Sequence, residues 1–189
     1  MRTEPKANRG PTAGPDNRRA LIAAAREVFG EVGLSAPLNS VAKRAGVGQG
    51  SLYRHFPDRV SLGVAVFDEN IGALEELAAR PGTTVDDLFD AVADQVVGST
   101  ALLDLVTDHR HDPRAEHLRT RITGVVDTLL ARDKASGNVG GHVDSADVML
   151  AVSMLAFVLA RTDDDERADV RVRTHAMFRA AFASSSAYS

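Results

Sequence analysis

A chain of 189 residues that is 44% hydrophobic carries enough apolar material for a real core, in one domain or in a small domain beside a larger one. It has no cysteine, which excludes disulfides, thiolate zinc sites and cysteine nucleophiles. The net charge of −4 hides a basic first third, ten Lys/Arg against five Asp/Glu in residues 1–60, so phosphate-rich partners stay open.

Residues 1–15 are rich in Pro, Gly, Thr, Asn and charge, lack apolar periodicity and are expected to be disordered. Arg2, Lys6 and Arg9 could still follow a DNA backbone from such an arm. No hydrophobic signal-peptide stretch is present, and no apolar run approaches the ~18 residues that cross a bilayer. A cytoplasmic protein with no membrane partner is expected. Asp16 or Asn17 can cap the first helix, whose apolar face is Leu21, Ala24, Ala25, Val28 and Phe29, and Gly30 and Gly33 end it near Val32. Arg18 and Arg19 sit at its N-terminus, where cations oppose the dipole and an outside phosphate would compensate. Ser35 or Ala36 caps a second helix with Pro37 in its first turn.

The stretch VAKRAGVGQGSLYRHFPDR, Val41 to Arg59, then reads as two short helices around a tight turn. Gly46 stops the first of them by turning left-handed, and Val47 plugs the turn. The second carries Leu52 and Phe56, four apart on one core-facing side. This is a helix-turn-helix, whose second helix enters the DNA major groove. Gly48, Gly50 and Ser51 leave that helix start slim enough to approach bases and phosphates, and Tyr53, Arg54 and His55 supply donors.

The segment AGVGQGSLYRHFPDR, preceded by PLNSVAKR, resembles the DNA-binding domain of the TetR family of bacterial transcriptional repressors, over roughly Asn17 to Asn70. The resemblance implies a homodimer with an N-terminal three-helix reading domain and a C-terminal helical domain that binds a small-molecule inducer. It implies Gly48–His55 as recognition helix, with Gln49, Gly50 and Ser51 facing the groove. Tyr53 and His55 become phosphate contacts and Arg59 the phosphate-binding cation; Lys43 and Arg54 complete the DNA-facing candidates. The family most often has Lys where Arg59 stands, Ser or Thr where Gly48 stands, and often Thr where Pro37 stands.

Pro57-Asp58 opens a long fourth helix to about Arg80, and Pro81-Gly82 breaks the chain. Thr84 with Asp87 resembles a capping box that opens a fifth helix bearing Leu88, Phe89, Val92, Val96 and Val97. A short sixth helix carries Leu102, Leu103, Leu105 and Val106. The polar loop Asp108–Pro113, with Glu116 and His117 beyond it, is dense enough in His and carboxylate to raise a metal, yet holds no motif of known geometry; a solvated loop is expected, with no metal and no cofactor. A seventh helix buries Leu118, Ile122, Val125, Val126, Leu129 and Leu130. The eighth is apolar from Val148 to Ala160 except Ser153, so it must be covered on both sides, by the core or by a partner subunit. Asp163–Glu166 then precede a ninth helix.

The expected architecture is therefore all-α with about nine helices. It comprises an arm (1–15), a helix-turn-helix domain (16–60, motif about 38–56) and a ligand-binding and dimerisation domain (61–189). Pocket candidates are Phe67, Leu74, Phe89, Val92, Val96, Leu103, Val106, Leu118, Ile122, Val126 and Phe157, which would suit an apolar or aromatic inducer. Candidates for a four-helix dimer interface are Met149, Val152, Leu155, Thr174, Met177, Phe178, Ala181 and Phe182. The function expected is a non-enzymatic repressor, released from a palindromic double-stranded operator by ligand. The alternatives are a ligand-free architectural DNA-binding protein and, further off, an all-α metal-dependent enzyme built on His109, His111 and His117.

Overall fold

The computed structural model describes residues 13–95, 101, 104–105, 107–109 and 111–184. Among these there are eight helices and no strand: α1 (Ala13–Val32), α2 (Leu38–Arg44), α3 (Gln49–His55), α4 (Arg59–Ala79), α5 (Val85–Asp94), α6 (Pro113–Ala135), α7 (Ser145–Leu159) and α8 (Arg167–Phe182). The short sixth helix expected from sequence falls on a stretch where Ala101, Asp104, Leu105, Thr107 and Asp108 are helical. Val96, Val97, Leu102, Leu103 and Val106 lie outside the described residues, as do Arg2, Lys6 and Arg9. α1 begins at Ala13, so residues 13–15, expected in the arm, form its first turn.

Local chemistry explains most boundaries. Asp58, Thr84 and Asp144 each cap a helix reciprocally with the residue three places on, Ser61, Asp87 and Asp147. Asp112 caps α6, its carboxylate accepting the Arg114 N–H at 2.9 Å, and Pro113 occupies the first helical position where no N–H is needed. Pro37 stands one place earlier than expected, as the residue before α2, and offers no side-chain cap. Gly46 adopts φ +65° in the turn between α2 and α3, a conformation that side-chain-bearing residues rarely take.

The interior is two apolar clusters. The first joins Leu21, Ala25, Phe29, Val41, Leu52 and Phe56 of α1–α3 to Leu62, Val66, Phe67 and Ile71 of α4, and receives Leu105, Leu118 and Ile122 from the body. The second holds Ala78 of α4, Leu88, Phe89 and Val92 of α5, Val126 and Leu129 of α6, Val152 and Leu155 of α7, and Phe178 of α8. The two clusters meet along α4 beyond Ile71. The N-terminal half of α4 belongs to the same core as the helices that precede it.

α6 grips α4 along its length. At one end the Arg114 guanidinium donates to Asp58, the α4 cap, at 3.0 and 3.1 Å. In the middle Arg121 bonds Glu75 at 2.7 and 2.8 Å and also reaches Asp68. At the other end Arg132 donates to the carbonyls of Ala78 (2.9 Å) and Arg80 (3.0 Å), where α4 exposes unpaired acceptors. No described helix is long and apolar enough to cross a membrane.

Candidate nucleic-acid interface

α3 is fixed from behind and open in front. Leu52 and Phe56 are buried in the first cluster, and Arg18 of α1 stands over the Phe56 ring at 5.4 Å from its centre. Asn17 Nδ2 donates to Ser51 Oγ at 3.5 Å, tying the start of α1 to α3. With that face anchored, Gly48, Gln49, Gly50, Tyr53 and Arg54 are exposed, while Ser51 and His55 are half-buried beside them. Lys43 is exposed on α2. A Cβ at Gly48 or Gly50 would meet no atom of the protein, and neither glycine has a positive φ. The slim start of α3 is therefore a property of the outer surface, not a packing requirement.

Arg59 is placed differently from the other cations. Its Nη1 donates to the carbonyls of Leu34 and Ala36 in the loop between α1 and α2. That guanidinium thus holds together the loop before the motif and the helix after it. Arg44 is also engaged, with Glu31 at 2.8 Å and Glu27 at 3.0 Å; its hydrogen bond holds the Glu31 carboxyl below the usual range. Asn17, Arg18 and the Arg114–Asp58 pair were not picked out by sequence reasoning as parts of this site. Only the two arginines at the start of α1 hinted at it; the pair joins residues far apart in the chain.

At the Arg114–Asp58 contact, burial pushes the Asp58 carboxyl up, but Arg114 and Ser61 outweigh it and hold it below the usual range. The Arg114 hydrogen bonds bring Asp112 down to about 2. Both carboxylates are therefore charged near neutrality, and the contact between body and reading head is an ion pair.

The described body candidates divide between the two apolar clusters. Phe67, Leu118 and Ile122 sit in the first cluster; Phe89, Val92 and Val126 sit in the second, with Leu74 half-buried against it. Val96, Leu103 and Val106 lie outside the described residues. Phe157 is 54% exposed on the outer side of α7, with Arg161 over its ring, and does not face the interior. The interface candidates divide as well. Val152, Leu155 and Phe178 are buried within the chain's own second cluster, whereas Met177 and Ala181 are exposed, and Met149, Thr174 and Phe182 are half-buried. The reason is the even apolarity of α7, which gives sequence periodicity no phase to report. The side it leaves exposed is Leu150, Met154, Phe157 and Val158.

His109 is half-buried and His111 and His117 are exposed; among the described residues no group of three His or carboxylate side chains converges to hold a metal.

These features define a helical DNA-binding regulator: a helix-turn-helix head with an open recognition helix, bonded to a larger helical body. Residues 21–66 match the family described as bacterial regulatory proteins, tetR family. No curated protein sequence matches the chain. Among solved structures, a TetR transcriptional regulator from Streptomyces coelicolor, SCO0520, is similar at 25% identity and a TM-score of 0.61, over 89% of this chain and 99% of that one. Escherichia coli NemR in its reduced form is similar at 16% identity and a TM-score of 0.65, over 90% and 100%. A putative TetR-family regulator from Rhodococcus follows at 17% and 0.61, over 89% and 100%. The N-terminal domain is that of the tetR family of bacterial regulatory proteins, and the whole chain has the fold of the TetR-family transcriptional regulators.

Proposed function

We propose that the chain is a homodimeric repressor that places the α3 helix of each subunit in successive major grooves of a palindromic operator and leaves it when a small molecule binds the body. The observation that carries this reading is the open face of α3, anchored from behind by Leu52 and Phe56 and stripped of bulk at Gly48 and Gly50. Gln49, Gly50 and Ser51 read base edges; Tyr53, Arg54, His55 and Lys43 hold phosphates. Arg59 acts on this surface chiefly by fixing the loop at Leu34 and Ala36.

Dimerisation uses the outer side of α7, where Leu150, Met154, Phe157 and Val158 form an apolar stripe at helical spacing, together with the exposed Met177 and Ala181 of α8. The twofold axis of such a pair matches a palindrome. Release follows from a population shift, which requires that the effector bind the two dimer geometries with different affinity. The protein acts in the cytoplasm, where its DNA lies, and carries out no chemistry.

The test is binding of the full chain to the DNA upstream of its own gene and to scrambled DNA across a salt series. Sequence-selective, salt-steep binding supports the reading. No preferred sequence, in that DNA or in a selection from random DNA with and without added small molecules, overturns it.

A further inference from the structure

A cavity of about 390 Å³ lies where α5, the C-terminal end of α6, the turn at Asn138 and Val139, and α8 meet. That volume is in the range of small-molecule sites. Of the described pocket candidates named from sequence, Phe89 alone lines it. Phe182 joins Phe89 on the apolar side, the two ring centres being 6.3 Å apart.

The charged groups around the cavity are already engaged. Arg179 Nε donates to Asp86 at 2.6 Å. Asp133, 2% exposed, accepts the Val85 N–H at 2.7 Å and the Asn138 side-chain amide at 3.1 Å. An anionic guest would have to break the Arg179–Asp86 pair to gain a counter-ion, and Asp133, buried and already accepting two N–H donors, offers a cation little surface. An uncharged guest keeps these bonds and can still meet the Arg179 Nη groups and the Asn138 carbonyl oxygen, which no described residue engages.

The cavity also lies at one end of the helix that grips α4. Asp133 fixes the first N–H of α5, and its neighbour Arg132 caps the carbonyls at the end of α4. About 28 Å away along α6, at 1.5 Å per residue, Arg114 holds the α4 cap beside the recognition helix. A body wedged against Phe89 and Phe182 loads the α5–α6 junction, and a rigid helix with bonded ends carries that load to Asp58.

We propose that this cavity is the effector site, that it takes a small uncharged molecule with a flat apolar body and one hydrogen-bonding group, and that α6 transmits occupancy to the reading head through Arg114. The proposal rests on the ligand-released reading above. Its test uses three fluorinated probes of one body: para-fluorobenzyl alcohol, para-fluorobenzoate and para-fluorobenzylammonium. Each is titrated by fluorine NMR into the full chain and into Val139→Phe and Phe182→Ala, with melting curves to verify folding. The alcohol is expected to bind best, and each variant to weaken it by about tenfold or more. Equal binding by the folded variants, tighter binding of a charged probe, or no binding to the unmodified chain overturns the proposal. Arg114→Ala should keep alcohol affinity within about twofold yet lose the alcohol's effect on binding to DNA selected from random sequence. Unchanged release in that variant overturns the α6 route. A chain that selects no DNA refutes the regulator itself, whereas release by a probe that ignores Val139→Phe refutes the cavity alone.

Discussion

Gly48 and Gly50 are glycines that the protein does not need for its own fold. Neither takes a positive φ and neither is crowded, so alanine fits both positions without strain. Gly50 lies inside α3, where alanine favours the helix by about 0.5–1 kcal/mol. Gly50→Ala should therefore raise the melting temperature by about 1–4 °C while weakening operator binding in a fluorescence-anisotropy titration. A variant that melts higher and binds as tightly would show that α3 does not approach DNA closely at that point. His175 makes the opposite case, a polar group whose surroundings work against it. It is 5% exposed, its Nε2 has no partner among the described residues, and its Nδ1 stands 3.6 Å from Asp90. Burial lowers its pKa, with Arg171 and Arg179 in the same sense, against Asp90 and Asp86. The unfolded chain thus takes up the proton first, near pH 6.5, and stability falls as pH drops from there towards the folded-state value. Thermal melts at intervals from pH 7.5 to 5 should show this decline, and His175→Phe, which keeps the ring against Phe89, should flatten it.

At the scale of elements, the sequence is legible where structure is decided locally. The α2–α3 motif follows from Gly46 and the Leu52–Phe56 spacing, and the start of α5 from Thr84–Asp87, each within a few residues. It is opaque where the decision is made across the chain. Asp86, Asp90 and Asp94 recur every four residues on α5 and meet Arg179, Arg171 and His175 on α8, yet nothing in either segment names the other. Arg59 reads as a free cation until Leu34 and Ala36 are folded onto it. α7 is the sharpest instance, because a helix apolar on every side tells which residues must be covered but not by what. The exposed stripe resolves that into a prediction. Met154→Glu places a charge at its centre without touching the buried side of the helix, a change that costs a folded monomer no more than about 0.5 kcal/mol. Light scattering after size exclusion should give a dimer for the parent chain and a helical monomer for the variant. A dimer that survives Met154→Glu would mean that the contact lies elsewhere.

For the whole molecule, the relevant quantity is how much of the basic first third is available to DNA. Of the seven cations between residues 13 and 60, Arg19, Arg26 and Arg44 pair with Asp16, Glu69, and Glu27 with Glu31, and Arg59 is bonded to carbonyls. Lys43 and Arg54 are exposed without a carboxylate partner among the described residues, and Arg18 lies against Phe56. Among the described residues the positive excess is thus concentrated on few side chains flanking α3, on a body whose composition is acidic. Counterion release makes this measurable, because each phosphate contact contributes about 0.9 to the slope of log affinity against log salt. In a dimer, Lys43→Ala or Arg54→Ala should lower that slope by about 1.8, since both subunits lose the contact. Arg44→Ala removes the same charge from the same region but from a group held by Glu27 and Glu31, and should leave the slope unchanged while loosening α2 from α1. If all three lowered it equally, the ion pairs on α1 and α2 would have to open on DNA, and net charge alone, rather than its internal pairing, would set the electrostatics of binding.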